Sequence, residues 1–352
     1  MAALRLIQAG LGNRGTQWAE IVAAHADAQH VAVVDPDPAR IARFHERWPA
    51  VPGFATLEQA LDAVRADAVL LATPPDGHLA QCRACFAAAL PVLAEKPLSL
   101  DPAEANEIVR LAEAHRVPLT VGLNFRYLAV TQAKRRLIAD QRFGAPGFAQ
   151  MTYQRNRDGR IPRLNKYPLT MQHPMMLEQT VHHLDLLRFV YGREVETVLC
   201  RSWNPPWSMY AHDSNVACHL VMQGGIEVSY LGTWTGGWDR LEFLWRTDGP
   251  DGVILQRQLF EDLAIASRTD PEPTPVPLEP CEAFRDDTRA LLGAFIAALR
   301  EGTPVPCDGR DHLRTLAVCF AAIESAETGR AVNVAAWAAR HMPAAALGGT
   351  PA

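Results

Sequence analysis

The chain has 352 residues, 48% of them apolar, and a formal net charge of −5. That length holds two domains with sizeable cores, and the absence of a basic excess argues against a nucleic-acid partner. No apolar run approaches a membrane span, and seven cysteines, an odd number scattered along the chain, suit reduced thiols in a cytoplasmic protein.

The stretch LRLIQAGLGNRGTQWAEIVAAH reads as an apolar strand, a glycine-rich turn and an amphipathic helix. Gly10, Gly12 and Gly15 fall in the order G-x-G-x-x-G, with Leu11, Asn13 and Arg14 between them. In that context one glycine permits the tight turn, one lets backbone approach a pyrophosphate and one lets helix and strand pack closely. The helix start offers free N–H groups and a positive dipole end to the phosphates. A second strand, HVAVVDPD, ends in Asp35, about 20 residues on, where an acid accepts hydrogen bonds from the adenosine ribose. The same acid repels a 2′-phosphate, so the expected cofactor is NAD rather than NADP.

Helix and strand then alternate through LEQALDAV, DAVLLAT, DGHLAQCRACFAAAL, PVLAEKP, DPAEANEIVRLAEAHR and PLTVGLN. This pattern predicts a doubly wound parallel sheet, with ligands beyond the carboxyl ends of its strands. Three segments end there. The first holds Thr73, Pro74, Pro75 and His78 and the second Glu95 and Lys96 before Pro97, all but Pro97 expected to bind the cofactor with the glycine turn and Asp35; the third holds Asn124, Arg126 and Tyr127. Lys96 stands at the mouth of a buried strand, and Lys96–Pro97 is a candidate cis bond. Cys82 and Cys85 form a lone C-x-x-C in an Ala-rich run. With no second pair, buried helix cysteines are expected rather than zinc.

After Asn124 the pattern changes. VTQAKRRLIADQRFG reads as a helix and GAPGFAQMTYQRN as a strand, followed by a polar loop carrying Arg155, Arg157, Arg160, Arg163 and Lys166. Those cations suit a substrate carboxylate or phosphate, or else a solvated or subunit-interface loop. The segment MLEQTVHHLDLLRFVYG reads as a helix stopped by Gly192. At about 100° per residue, Glu178, His182 and Asp185 share one stripe, and His183 points elsewhere. Five runs of period-2 alternation from VETVLCRSW to GVILQRQL predict a mostly antiparallel sheet. Two helices follow, FRDDTRALLGAFIAALREG and GRDHLRTLAVCFAAIESAETG. The Ala/Pro/Gly-rich tail is expected to be loosely ordered. Trp203, Trp207, Tyr210, Trp234 and Trp238 suit either sugar stacking or packing. The expected division is a dinucleotide-binding domain over 1–122, a substrate and oligomerisation domain over 123–334 and a tail over 335–352.

The segments GLGNRG, VLLATPPDGH, PVLAEKPLSL, VGLNFRY, EQTVHHLDLLRFVYG and GRDHLRTLAVCFAAIESAETGRAVNV, in this order, resemble the glucose–fructose oxidoreductase, inositol dehydrogenase and MocA family over roughly residues 3 to 334. The resemblance implies a Rossmann domain followed by an α/β domain with an open-faced sheet, often the contact surface of dimers or tetramers. It implies NAD(P)-dependent oxidation or reduction of a secondary alcohol of a sugar, inositol or related polyol. The family's catalytic lysine matches Lys96. Its D-x-x-x-H motif falls on Glu178 and His182, with glutamate where many members carry aspartate, and its downstream acid falls on Asp185.

Alcohol oxidation needs a base for the hydroxyl proton, and histidine titrates in the right range. His182 is therefore the expected acid/base. Lys96 is expected to stabilise the reacting oxygen and is the runner-up base. Glu178 would orient substrate or His182, and Asp185 would fix the imidazole tautomer or be buried in helix packing. Asn124, Arg126, Tyr127 and Arg157 are the further candidates for binding substrate. A metal on Glu178, His182 and Asp185 is the rival reading, but hydride chemistry with Lys96 needs none. Two other classes stay open: a hydrolase or lyase that uses NAD transiently, and a non-catalytic sensor.

Overall fold

The computed structural model describes residues 2–161 and 164–346, so Arg163 and the end of the tail lie outside the described residues. The chain forms two compact units. One runs up to Asn124 and takes in Phe284–Leu313; the other is Phe125–Ala283 with the chain from Arg314 onward.

The first unit holds a six-stranded parallel sheet of β1 (Leu4–Ala9), β2 (Ala28–Val34), β3 (Gly53–Phe54), β4 (Ala68–Leu71), β5 (Val92–Ala94) and β6 (Leu119–Val121), in the order 3-2-1-4-5-6. The central strands are apolar because helices cover both faces of such a sheet; every residue of β4 and β5 is buried. The intervening helices are α1 (Asn13–Ala24), α2 (Pro38–His45), α3 (Leu57–Ala63), α4 (His78–Ala87) and α5 (Pro102–His115). Asp37, Thr56 and Asp101 cap α2, α3 and α5 by accepting backbone N–H groups. Cys82 and Cys85 are buried on α4. Strand order reverses between β1 and β4, the place where a sheet of this kind leaves a crevice for ligand.

The second unit begins with a 3₁₀ turn, continues into α6 (Ala129–Ala139) and β7 (Phe148–Gln154), and reaches the opening of the histidine helix. That opening is not α-helical. Met175–Thr180 is a π turn, and only then does α7 (Val181–Tyr191) run to Gly192, whose φ of +60° ends it. The expected helix is present, but its first turn is wider than a uniform 3.6-residue period, a feature that recurs at functional sites.

The antiparallel runs form β8 (Val195–Trp203), β9 (Asn215–Met222), β10 (Ile226–Thr233), β11 (Glu242–Gly249) and β12 (Gly252–Gln256). Three short strands extend the sheet: β13 (Leu263–Ser267), β14 (Thr274–Pro275) and β15 (Val332–Asn333). The order is β14-β13-β12-β11-β7-β10-β9-β8-β15, and β7 with β10 is the parallel pair among otherwise antiparallel neighbours. Helix α7 lies on the inner face, where His183 is fully buried, with Nδ1 2.8 Å from the Tyr230 hydroxyl.

Burial pushes the His183 pKa from its ordinary 6.5 down to about 3. The native ring stays neutral while the unfolded chain takes up a proton below about pH 6.5. Stability is therefore full above that pH and falls by about 1.4 kcal/mol per pH unit as pH drops toward the native value. His30, pushed down to about 4 by burial, adds to the loss over the same window. His183→Gln is expected to flatten the fall in urea midpoint between about pH 7 and about pH 5; an unchanged slope contradicts the assignment.

Two later helices follow, α8 (Asp286–Glu301) and α9 (Gly309–Thr328). Helix α8 belongs to the first unit, which the expectation of one crossing near Gly122 does not include. The described part of the tail, up to Ala346, carries more regular structure than its composition suggests. Asn333 caps α10 (Val334–His341), and Trp337 is buried, stacked on Phe320 and donating its N–H to Glu324. One anchored indole outweighs the Ala-rich composition.

Candidate functional site

In the first unit the glycine turn is shaped for a diphosphate. Gly10 has φ +92°, and a Cβ there would stand 2.5 Å from the Ala72 carbonyl oxygen. A Cβ at Gly15 would stand 2.1 Å from the Gly10 carbonyl oxygen. Beside Gly12 the nearest atom is an Arg40 nitrogen at 3.9 Å, so that face is open. Gly12 is also the N-cap of α1, and no side chain caps the helix. The N–H groups of Arg14 and Gly15 in the first turn of α1 are therefore open to an anion.

Asp35 at the end of β2 is 1% exposed. Its carboxylate accepts the Leu11 N–H at 2.8 Å and the Asp37 N–H at 3.0 Å, with Arg40 3.4 Å away. The acid expected to hold ribose thus also pins the glycine turn. Leaving about one of its four lone-pair sites, it has room for fewer ribose bonds than two free oxygens would offer. Asp35→Ala is expected to weaken NAD binding by about 10–100-fold. Protein fluorescence titrated with NAD checks this, and unchanged affinity refutes it.

Several other members of the expected cofactor set, Arg14, Glu95, His78 and Thr73, are hydrogen-bonded within the unit. Arg14 donates to Glu95 at 2.7 Å and to Thr288 on α8 at 3.2 Å, so its side chain is a strut of the turn. Glu95 also accepts the Trp18 N–H at 2.6 Å. Burial pushes the Glu95 carboxyl up, but Arg14 and Trp18 outweigh it and hold it below its ordinary range. His78 is fully buried, its two ring nitrogens 3.1 Å from the carbonyls of Leu98 and Thr73, so it braces the turn after β4 rather than meeting a ligand. Thr73 donates to Gln81, and Pro75 is buried. Lys96, half-buried, follows β5 directly, and the Lys96–Pro97 bond is cis. Asn124 is buried and donates to Asp287 of α8 at 2.5 Å. Asp287 carries no local signal in the sequence, because its partner is 163 positions away.

In the second unit, consecutive residues of the 3₁₀ turn dock along α7. Phe125 stacks on the His182 ring, centroids 4.4 Å apart, and Arg126 grips Asp185 with Nε–Oδ2 at 2.8 Å and Nη2–Oδ1 at 2.5 Å. Arg126 and Asp185 are 3% and 2% exposed. Thr315 donates to the same carboxylate at 3.0 Å. Both residues are therefore tied up in a buried ion pair: Arg126 is not set out for substrate, and Asp185 is packed within the helix layer. Glu178, in the π turn, and Tyr127 are half-buried, and His182 is 8% exposed. Phe125, overlooked between Asn124 and Arg126, is the residue that seats the imidazole. Among the expected aromatics, Tyr210 and Trp234 are buried, while Trp203, Trp207 and Trp238 are exposed. Arg157 lies over the Trp234 ring.

A six-stranded parallel sheet in this order, with an uncapped glycine turn after its first strand and an acid closing its second, defines a dinucleotide-binding enzyme. Residues 4–123 match the model of an oxidoreductase family with an NAD-binding Rossmann fold, and residues 131–249 match the GFO/IDH/MocA C-terminal domain. The chain belongs to this family, the glucose–fructose oxidoreductase, inositol dehydrogenase and MocA oxidoreductases, and is an NAD-binding oxidoreductase. It is similar to inositol 2-dehydrogenase of Rhizobium meliloti, 26% identical over 93% of this chain and 98% of that one. D-apiose dehydrogenase of Paraburkholderia graminis is 25% identical over 87% and 83%. An Agrobacterium radiobacter oxidoreductase, solved with NAD+, L-tartaric acid and magnesium, shares the fold at TM-score 0.87 and 21% identity, covering 95% of this chain and 99% of that one. Among the described residues no helix is long and apolar enough to cross a membrane.

Proposed function

We propose that this enzyme oxidises a secondary alcohol of a sugar, inositol or related polyol, or reduces the corresponding ketone, with His182 as acid/base and Lys96 stabilising the reacting oxygen. The observations that carry the reading are, in the first unit, a glycine turn shaped for a diphosphate and, in the second, an imidazole stacked on Phe125 with a half-buried Glu178 four residues before it in the sequence. Relatives named for inositol and apiose oxidation support the substrate class.

Bound NAD supplies the hydride acceptor. His182 takes the hydroxyl proton, and stacking on Phe125 limits the ring to one plane. Lys96 donates a hydrogen bond to the oxygen as negative charge grows there, an electrostatic contribution that is largest where water is excluded. Glu178 hydrogen-bonds a neighbouring hydroxyl or the imidazole. Gly12, Arg14 and Gly15 hold the diphosphate through backbone N–H groups, while Gly10 and Leu11 donate theirs to Val34 and Asp35 and so shape the turn, with Arg14, Glu95 and Trp18 keeping that backbone in place.

The outer face of the second sheet exposes Phe148 and Leu199, which supports a homodimer or homotetramer built on that face. The test of the function is a panel of sugars, inositols and sugar acids read as NADH formed, with NAD and NADP in parallel. Turnover with NAD on one or more polyols is the expected result. Substrate consumption with no net NADH points instead to transient redox within a cleavage reaction.

A further inference from the structure

The loop between β7 and the π turn carries cations that the redox reading leaves without a task. Arg160 is paired with Asp158. Among the described residues no carboxylate lies within ion-pair distance of Arg155, Arg157 or Lys166. Lys166 donates to the carbonyls of Gly159 and Ile161, and the acid whose charge it feels is Asp158.

Arg157 is built in. Its guanidinium lies 4.4 Å from the centroid of the Trp234 ring, and Nη1 donates to the Tyr210 hydroxyl at 3.3 Å. That hydroxyl donates back to the Arg157 carbonyl at 2.6 Å, and the Tyr210 ring leans on the same indole. Trp234 and Tyr210 are 1% and 3% exposed. The indole N–H of Trp234 is buried and meets no acceptor among the described residues. A merely solvated arginine requires none of this. Here the side chain has surrendered its rotamer freedom in advance and keeps most of its five N–H donors unspent.

The placement is also specific. On β10 a side chain at Gly232 would strike the methyl of Met175, the first residue of the π turn that carries Glu178. Trp234 follows Gly232 by two residues, in the bend just past the end of β10. Arg157, over the Trp234 ring, therefore lies off the end of the strand that abuts that turn.

We propose that Arg157, stacked on Trp234, is a carboxylate-binding group, and that the oxidised alcohol is carried on a sugar acid, an aldonate or uronate, rather than on a neutral polyol. This rests on the oxidoreductase reading and narrows its substrate. A planar fork held at one orientation matches a planar carboxylate through two parallel hydrogen bonds. A sugar phosphate has the same sign of charge and is the competitor to test.

The experiment compares aldonates and uronates with their neutral parents and with a sugar phosphate, using the full chain and NAD. The acids are expected to exceed their neutral parents in kcat/KM by about 10-fold or more. Arg157→Leu is expected to lower kcat/KM for the acids by about 10–100-fold, mainly through KM. Arg157→Lys, which lacks the fork, is expected to restore only part of it, and Arg160→Ala to leave it unchanged. Calorimetric binding of an aldonate to the wild type and to Arg157→Leu, with thermal midpoints to confirm folding, answers the question even without turnover. Neutral parents or phosphates preferred over acids, or acid binding indifferent to Arg157→Leu, overturns the proposal. NADH formed from neutral polyols alone sinks the subsite and leaves the oxidoreductase reading standing. Acid binding lost in Arg157→Leu, with no NADH from any compound, supports the subsite and counts against the redox reading.

Discussion

Lys96→Ala and His182→Ala are each expected to lower turnover by about two to four orders of magnitude, with NAD affinity within a few-fold of wild type. The size follows from the two jobs proposed. Loss of a general base leaves proton removal to water, and loss of an ammonium leaves developing negative charge without its donor. Neither job requires the side chain to hold the adenosine or the diphosphate, which are expected at the glycine turn and Asp35. The two variants should also differ from each other. In Lys96→Ala the pH dependence of kcat/KM should still report a histidine; in His182→Ala that limb should vanish. If Lys96 were the base, the limb would persist in His182→Ala. Wild-type turnover in both variants refutes the assignment.

The second large effect is expected at the Arg126–Asp185 pair. Breaking one side of a buried ion pair strands the other charge, which costs about 3–5 kcal/mol. Asp185→Asn is therefore expected to lower the thermal midpoint by on the order of 10 °C, since each kcal/mol moves a unit of this size by about 2–4 °C. Arg188, 3.9 Å from the same carboxylate and fully buried, would lose a compensating charge as well. The distinction from a tautomer-fixing role is measurable. A loss of kcat with unchanged stability would place Asp185 behind the imidazole; a loss of stability with kcat retained in the folded fraction is the expected result.

The parts legible in the sequence were those governed by near neighbours. Gly10, Gly12 and Gly15 sit within six residues, and their context of strand and helix is contiguous, so turn and cofactor could be read together. Alternation of buried strands with helices carried the parallel sheet for the same reason. The arrangement around His182 was less accessible. The stripe of Glu178, His182 and Asp185 assumed a uniform 3.6-residue period, and a π turn leaves no mark in apolar spacing. Arg126 looked like a substrate ligand because an arginine beside an expected cleft invites that reading. Its actual partner, 59 positions later, could be known only once α7 was in place. Helix α8 is the clearest case. Nothing in FRDDTRALLGAFIAALREG distinguishes docking on one unit from docking on the other; the partners that decide it, Arg14 and Asn124, lie far up the chain.

That return of α8 has a consequence for biogenesis. The NAD-binding unit is discontinuous, with Thr288 and Asp287 supplying partners to Arg14 and Asn124. A ribosome releases residues in order, and N-terminal domains ordinarily fold as they emerge. Here the nucleotide-binding half is finished only after strands β7 to β14 of the other half have been translated. A nascent chain arrested near residue 280 should therefore lack a completed cofactor turn, and neither unit can close until α8 has been made.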